Sequence, residues 1–148
     1  MFVWIENTAL ALWVSTSLWA YPFLLSLHIL GLAVVAGIFL LRDLHLIGLI
    51  GALPPSNFFD LRGLAYAGFT LNAISGFLLF SSQASILVGN ISFLLKISFL
   101  SIAMALAVFI HKQIDKGGNI TQPKISAFIS LTCWFGTITA GRLIAYVF

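Results

Sequence analysis

Charge is what this sequence has least of. Only 7% of its 148 residues are Asp, Glu, Lys or Arg, while 61% are hydrophobic; an ordinary soluble domain carries about 25% charged residues. So few charges cannot clothe a water-facing surface, and the composition reads as an integral membrane protein. The seven Lys and Arg give a net charge of +3 and are scattered, so the clustered basic face that nucleic acid requires is missing and nucleic acid is excluded as a partner. Cysteine is almost absent: Cys133 alone rules out an intrachain disulfide and any CxxC zinc or thioredoxin-type motif. The four carboxylates form no visible set of base, nucleophile and oxyanion donor, so no reaction can be named from the sequence. A basic leader region is also lacking. The opening "MFVWIENTALALWVSTSLWAYPF" carries Glu6 instead, and this stretch is expected to belong to the mature protein.

What is present is long apolar runs. Segments long enough to cross a bilayer, roughly 20 residues at about 1.5 Å each, run over about 22–51, 56–82, 88–113 and 124–147. They are separated by "ALPPSN", "SSQASILVGN" and "DKGGNITQP", whose Pro, Gly, Asn and Ser suit helix ends and tight connections. Short connections make neighbours antiparallel, so the expected fold is all-α, a single transmembrane domain forming a four-helix bundle. Ahead of it, residues 2–19 are too short and too polar to span. Trp4, Trp13 and Trp19 are residues that settle at headgroup level, which suggests a short interfacial N-terminal helix. Arg42, Arg62, Lys112, Lys116 and Lys124, five of the seven cations, flank the two connections on one side. By the positive-inside rule that side is cytoplasmic and both termini face the periplasm of a bacterial inner membrane. Small residues recur as Gly68, Asn72 and Gly76, and as Thr132, Gly136 and Ala140, the spacing of closely approaching membrane helices.

Ionisable groups inside lipid-length segments are costly and usually functional. Counted along the helices, His28, Lys96 and Arg142 all fall about 9 to 12 Å below the outer surface. This layer holds one imidazole, two cations and no carboxylate, so an anionic partner from outside the chain is expected. Haem b meets each requirement: His28 supplies an axial nitrogen, and Lys96 and Arg142 face the propionates. The competing structural reading has both cations reaching to headgroups while His28 bonds a carbonyl one turn away. A second layer lies near the cytoplasmic interface, with His45 and His111 about 35 Å along their helices. Arg42, Asp43, Asp60, Arg62 and Lys112 share it. Its charges can be solvated or can pair with one another. Alternatively His45 and His111 bind a metal, copper being a natural imidazole partner, or a second haem.

The segments "SLHILGLAVVAGIFLLRDLHLIG", "DLRGLAYAGFTLNAISGFLLFSSQA", "NISFLLKISFLSIAMALAVFIHK" and "CWFGTITAGRLIAYVF" resemble an uncharacterised family of small bacterial four-helix inner-membrane proteins over nearly the whole chain. Arg62, Ser75, Gly76 and Lys96 are similar to positions of the copper-resistance D-type membrane domain. His28, Gly37, Arg42, Lys96 and His111 resemble the J-type membrane protoporphyrinogen oxidase, a four-helix haem protein. The interval from Lys96 to His111 is 15 residues, about one helical turn longer than in that family, and its Pro-Arg pair is absent. The resemblance therefore implies haem binding at His28 and Lys96 rather than porphyrinogen oxidation. Three readings follow from the sequence. The first is a haem b protein for electron transfer or redox chemistry, with His28, His45 and His111 as iron or copper ligands and an unidentified redox partner. The second is copper handling without haem. The third is a cofactor-free subunit of a membrane complex. Small-residue seams on two helices favour a homo-oligomer in each.

Overall fold

The structure is a computed structural model that describes residues 2–51, 61–116 and 121–146, with the backbone alone for residues 114 and 121–123. Among the described residues it is entirely helical: α1 (Val3–Glu6), α2 (Ala9–Thr16), α3 (Ala20–Ile47), α4 (Arg62–Ser82), α5 (Ala84–Val88), α6 (Ile91–Asp115) and α7 (Thr121–Leu143). Three of these, α3, α4 and the Ile91–Gln113 stretch of α6, are long and apolar enough to cross a membrane. The chain is thus a membrane protein. Helix α7, with 23 residues, is long enough, but Thr132, Thr137, Thr139, Gly136, Gly141 and Arg142 dilute its apolar character, and it does not join those three.

Helix ends depart from the sequence expectation for identifiable reasons. Helix α3 stops at Ile47 rather than near residue 51, because Gly48 adopts φ +88°. That left-handed residue lets Leu49 N–H reach the Leu44 carbonyl and Gly48 N–H the His45 carbonyl, both at 3.0 Å, which is the Schellman closure of a helix. The N-terminal stretch forms two short helices instead of one. Thr8 separates them, its hydroxyl accepting from Ala11 N–H at 3.4 Å as the N-cap of α2, in keeping with the preference for threonine there. The "SSQASILVGN" connection contains α5, so the third apolar helix begins at Ile91 rather than near residue 88. The "ALPPSN" connection, the expected start of the second span at residue 56, and Asp60 lie outside the described residues.

The chain divides into two compact units. The first comprises Met1–Val35 and Leu61–Asn90. Here α4 buries Ala65, Gly68, Asn72 and Ser75 while exposing Leu64, Tyr66, Ile74 and Phe77. Large side chains outward and small ones inward invert the pattern of a water-soluble helix. In lipid this costs nothing, and the small face lets backbones approach. The approach is close: a Cβ on Gly31 of α3 would lie 2.9 Å from both Asn72 N and Gly68 O, and one on Gly68 would lie 2.9 Å from Val34 Cγ1. Helix α2 packs on α4 and buries Ala11 and Val14.

The second unit comprises Ala36–Asp60 and Ile91–Phe148. Helices α6 and α7 pack along one another, with Gly136 beneath the Phe99 ring, where a Cβ would come within 3.0 Å of it. Helix α7 buries Ala127, Ser130, Trp134, Thr137 and Ala140 and exposes Ile125, Phe128, Phe135 and Ile138. Trp134 is fully buried and stacks on Phe39 of α3, with centroids 5.6 Å apart and planes 14° from parallel.

Candidate functional site

The first unit fixes His28 by two reciprocal hydrogen bonds between α3 and α4. His28 Nδ1–H donates to the Asn72 carbonyl at 2.9 Å, and Asn72 Nδ2–H donates to the His28 carbonyl at 2.7 Å. Ser75 Oγ stands 3.4 Å from Nδ1. The half-buried ring occupies a slot that only glycine leaves open, since a Cβ on Gly76 would lie 2.7 Å from His28 Cε1. The Gly68, Asn72, Gly76 stripe read from the sequence is therefore the surface of α4 on which α3 rests. In the neutral ring, donation from Nδ1 leaves the lone pair on Nε2, the arrangement found where imidazole ligates a metal and a carbonyl orients the ring.

The second unit holds Arg42 and Asp43 as a buried ion pair, one of the two outcomes, solvation or mutual pairing, that the sequence left open for these charges. Arg42 is 4% exposed and Asp43 0%. One carboxylate oxygen, Asp43 Oδ1, takes both Arg42 Nε–H at 3.0 Å and Arg42 Nη2–H at 2.6 Å. Arg42 also donates from Nη1 to the Ala107 carbonyl of α6 at 3.2 Å, and its guanidinium lies 4.9 Å from the Phe39 ring centroid. A carbonyl and an aromatic face inside the unit replace the water the pair would otherwise need. Ser130 is near enough to act on the Asp43 carboxylate but completes no hydrogen bond with it. Trp134, one helical turn further along α7, lies on the same face.

The remaining predicted site residues fall as follows. In the second unit the aliphatic part of Lys96 passes over Gly141, 3.5 Å from where a Cβ would be. Arg142 is the next residue of α7 and is exposed. Lys96 of α6 is thus brought beside the end of α7 that carries Arg142. His111 Nε2 sits 3.7 Å from Asp115 Oδ2 on the same helix, and His45 occupies the last turn of α3, partly buried. Among the described residues no three or more His, Cys, Asp or Glu side chains gather in a way that could hold a metal ion. Cys133 is buried in α7. Outside the spanning helices, Glu6 of α1 accepts from both the backbone N–H and the hydroxyl of Ser85 at the start of α5. Those bonds hold its carboxyl below the usual carboxylate range.

Sequence reasoning named His28, Lys96 and Arg142 but not Asn72, Ser130 or Trp134 as partners in polar sites. A polar Asn72 within a stripe of glycines was the one available signal for the first. No family model, curated protein or solved structure matches the chain.

Proposed function

We propose that this is a haem b-binding protein of the bacterial inner membrane, serving electron transfer or redox chemistry, with His28 as an axial ligand. The observation that carries this reading is the hydrogen bond from His28 Nδ1–H to the Asn72 carbonyl. In the neutral ring it leaves the lone pair on Nε2, the nitrogen that would ligate iron, and the ring packs against Gly76. Lys96 and Arg142 enter on the sequence argument of equal depth, as the cations for the propionates. Bound haem would supply a one-electron couple. The residues of the chain would orient the ligand, exclude water and compensate charge. In this proposal α7 is the fourth crossing helix of a bundle, and α1 and α2 lie at the outer interface, where exposed Trp4, Trp13 and Trp19 meet headgroups.

A second reading rests on the same bonds. Reciprocal hydrogen bonds between helices are membrane glue worth about 0.6 to 2 kcal/mol each, and in this reading His28 joins α3 to α4 in a cofactor-free subunit of a larger complex. Oxidised and reduced absorption spectra of the purified chain, with iron and copper counted per chain, separate the two. The haem reading expects a Soret band and sharp reduced α-bands, lost in His28→Gln, whose amide can still donate to the Asn72 carbonyl. A colourless, iron-free wild type, or undiminished haem in His28→Gln, would overturn it. Copper without a Soret band would instead favour metal handling.

A further inference from the structure

The second unit contains three buried polar atoms that make no hydrogen bond to any described group: Asp43 Oδ2, Ser130 Oγ and Trp134 Nε1. All three residues are 0% exposed. Their placement is connected. Asp43 and Phe39 are one turn apart on α3, and Ser130 and Trp134 are one turn apart on α7. Phe39 stacks on Trp134, and Ser130 lies beside the Asp43 carboxylate, so two successive rungs join the same helix faces. An unsatisfied buried polar group is costly, and three on two adjoining rungs mark a locus rather than a scatter of defects.

We infer that Asp43 Oδ2, Ser130 Oγ and Trp134 Nε1 form a binding site for one small neutral protic molecule, water being the occupant of the resting protein. Their chemistry selects it. Oδ2 only accepts, the indole N–H only donates, and the hydroxyl does either. An anion would be repelled by the carboxylate. A cation would meet the indole N–H and the Arg42 guanidinium, which already shares that carboxylate. A molecule that donates to Oδ2 and accepts from Trp134 Nε1–H and Ser130 O–H meets all three demands, and water fills three of its four positions by doing so. It also hydrates the half of the ion pair that Arg42 does not reach, since both guanidinium contacts converge on Oδ1. The site is independent of His28 and of haem.

Water-to-protein cross-relaxation in the isotope-labelled full chain, reconstituted in lipid nanodiscs, tests the inference. Trp134→Phe assigns the indole N–H. A long-lived contact from water to the Trp134 Nε1–H, opposite in sign to chemical exchange in the rotating frame, is expected. It should be lost in Ser130→Val, which fills the site with a methyl group, and retained in Thr132→Val on the exposed face of α7. If Ser130→Val does not fold, Ser130→Ala serves, and there the contact should weaken or shift. Absence of the contact in the wild type, its persistence in Ser130→Val, or a direct scalar coupling from Trp134 N–H to the Asp43 carboxylate would overturn the site.

Discussion

The two units face one problem, a polar group inside an apolar helix, and solve it differently. In the first, a neutral imidazole and a neutral amide each donate to the other's backbone carbonyl. In the second, opposite charges adjacent in sequence meet at one carboxylate oxygen, helped by a carbonyl of α6, and three buried polar atoms have no hydrogen-bond partner among the described residues. Neutral groups can be held by backbone carbonyls alone because a site they leave unpaired costs less than an uncompensated buried charge. A buried charge demands more acceptors and donors than the surrounding Ala107, Phe39 and Trp134 supply. The first solution glues helices; the second leaves a locus that can take a ligand.

The comparison can be broken most severely at the charged end. Asp43→Leu strands Arg42 without its counter-charge and should lower stability by about 3 to 5 kcal/mol, read as the midpoint of thermal unfolding in detergent. Adding Arg42→Met should recover most of that loss, because an apolar pair needs no compensation. Failure of the double variant to recover would mean the pair does more than neutralise itself.

At the neutral end the effect should be smaller and graded by what a new Cβ meets. Gly31→Ala pushes against the backbone of Asn72 and Gly68, which cannot yield without separating α3 from α4. Gly76→Ala pushes against the His28 ring, which can rotate at the expense of its bond to Asn72. Overpacking of this kind costs about 1 to 3 kcal/mol, with Gly31→Ala at the upper end. Gly76→Ala should additionally lower haem content if His28 ligates iron. Asn72→Ala removes the amide bond to the His28 carbonyl but keeps the backbone acceptor of the ring, and should cost about 1 kcal/mol while leaving the His28 tautomer in place.

The smallest effect belongs to the Glu6 latch. Its carboxyl is held low by the Ser85 hydroxyl first and the Ser85 backbone N–H second, so the latch is fully engaged above the usual carboxylate range. It weakens as pH falls through the depressed value, when the protonated form binds Ser85 less well. Limited proteolysis near α1 should therefore increase only in acid, and Glu6→Gln should show the increase at neutral pH.

Much of the fold was legible because bilayer thickness dictates run length. Three of the long apolar segments and the small-residue stripe of α4 follow from what lipid demands of a helix. The end of α3 was misplaced because "ALPPSN" drew attention past Gly48, whose left-handed φ closes the helix first. His28 was recognisable as an isolated imidazole among apolar residues. Its partner was not, since Asn72 lies 44 residues away and nothing local announces which carbonyl an imidazole will meet.

Thus the sequence by itself determined that the chain belongs in a membrane, roughly where its long helices run and which side chains are too polar to be idle there, because each of these depends on composition and period along one segment. Only the tertiary structure decided which polar groups meet. It chose pairing over solvation for Arg42 and Asp43 and buried the pair, put Asn72 and Gly76 around His28, and set Ser130 and Trp134 on the face of α7 that joins the Asp43 rung. Those outcomes depend on how facing helices register, and the register is fixed by glycines and ring stacking between segments far apart in the chain.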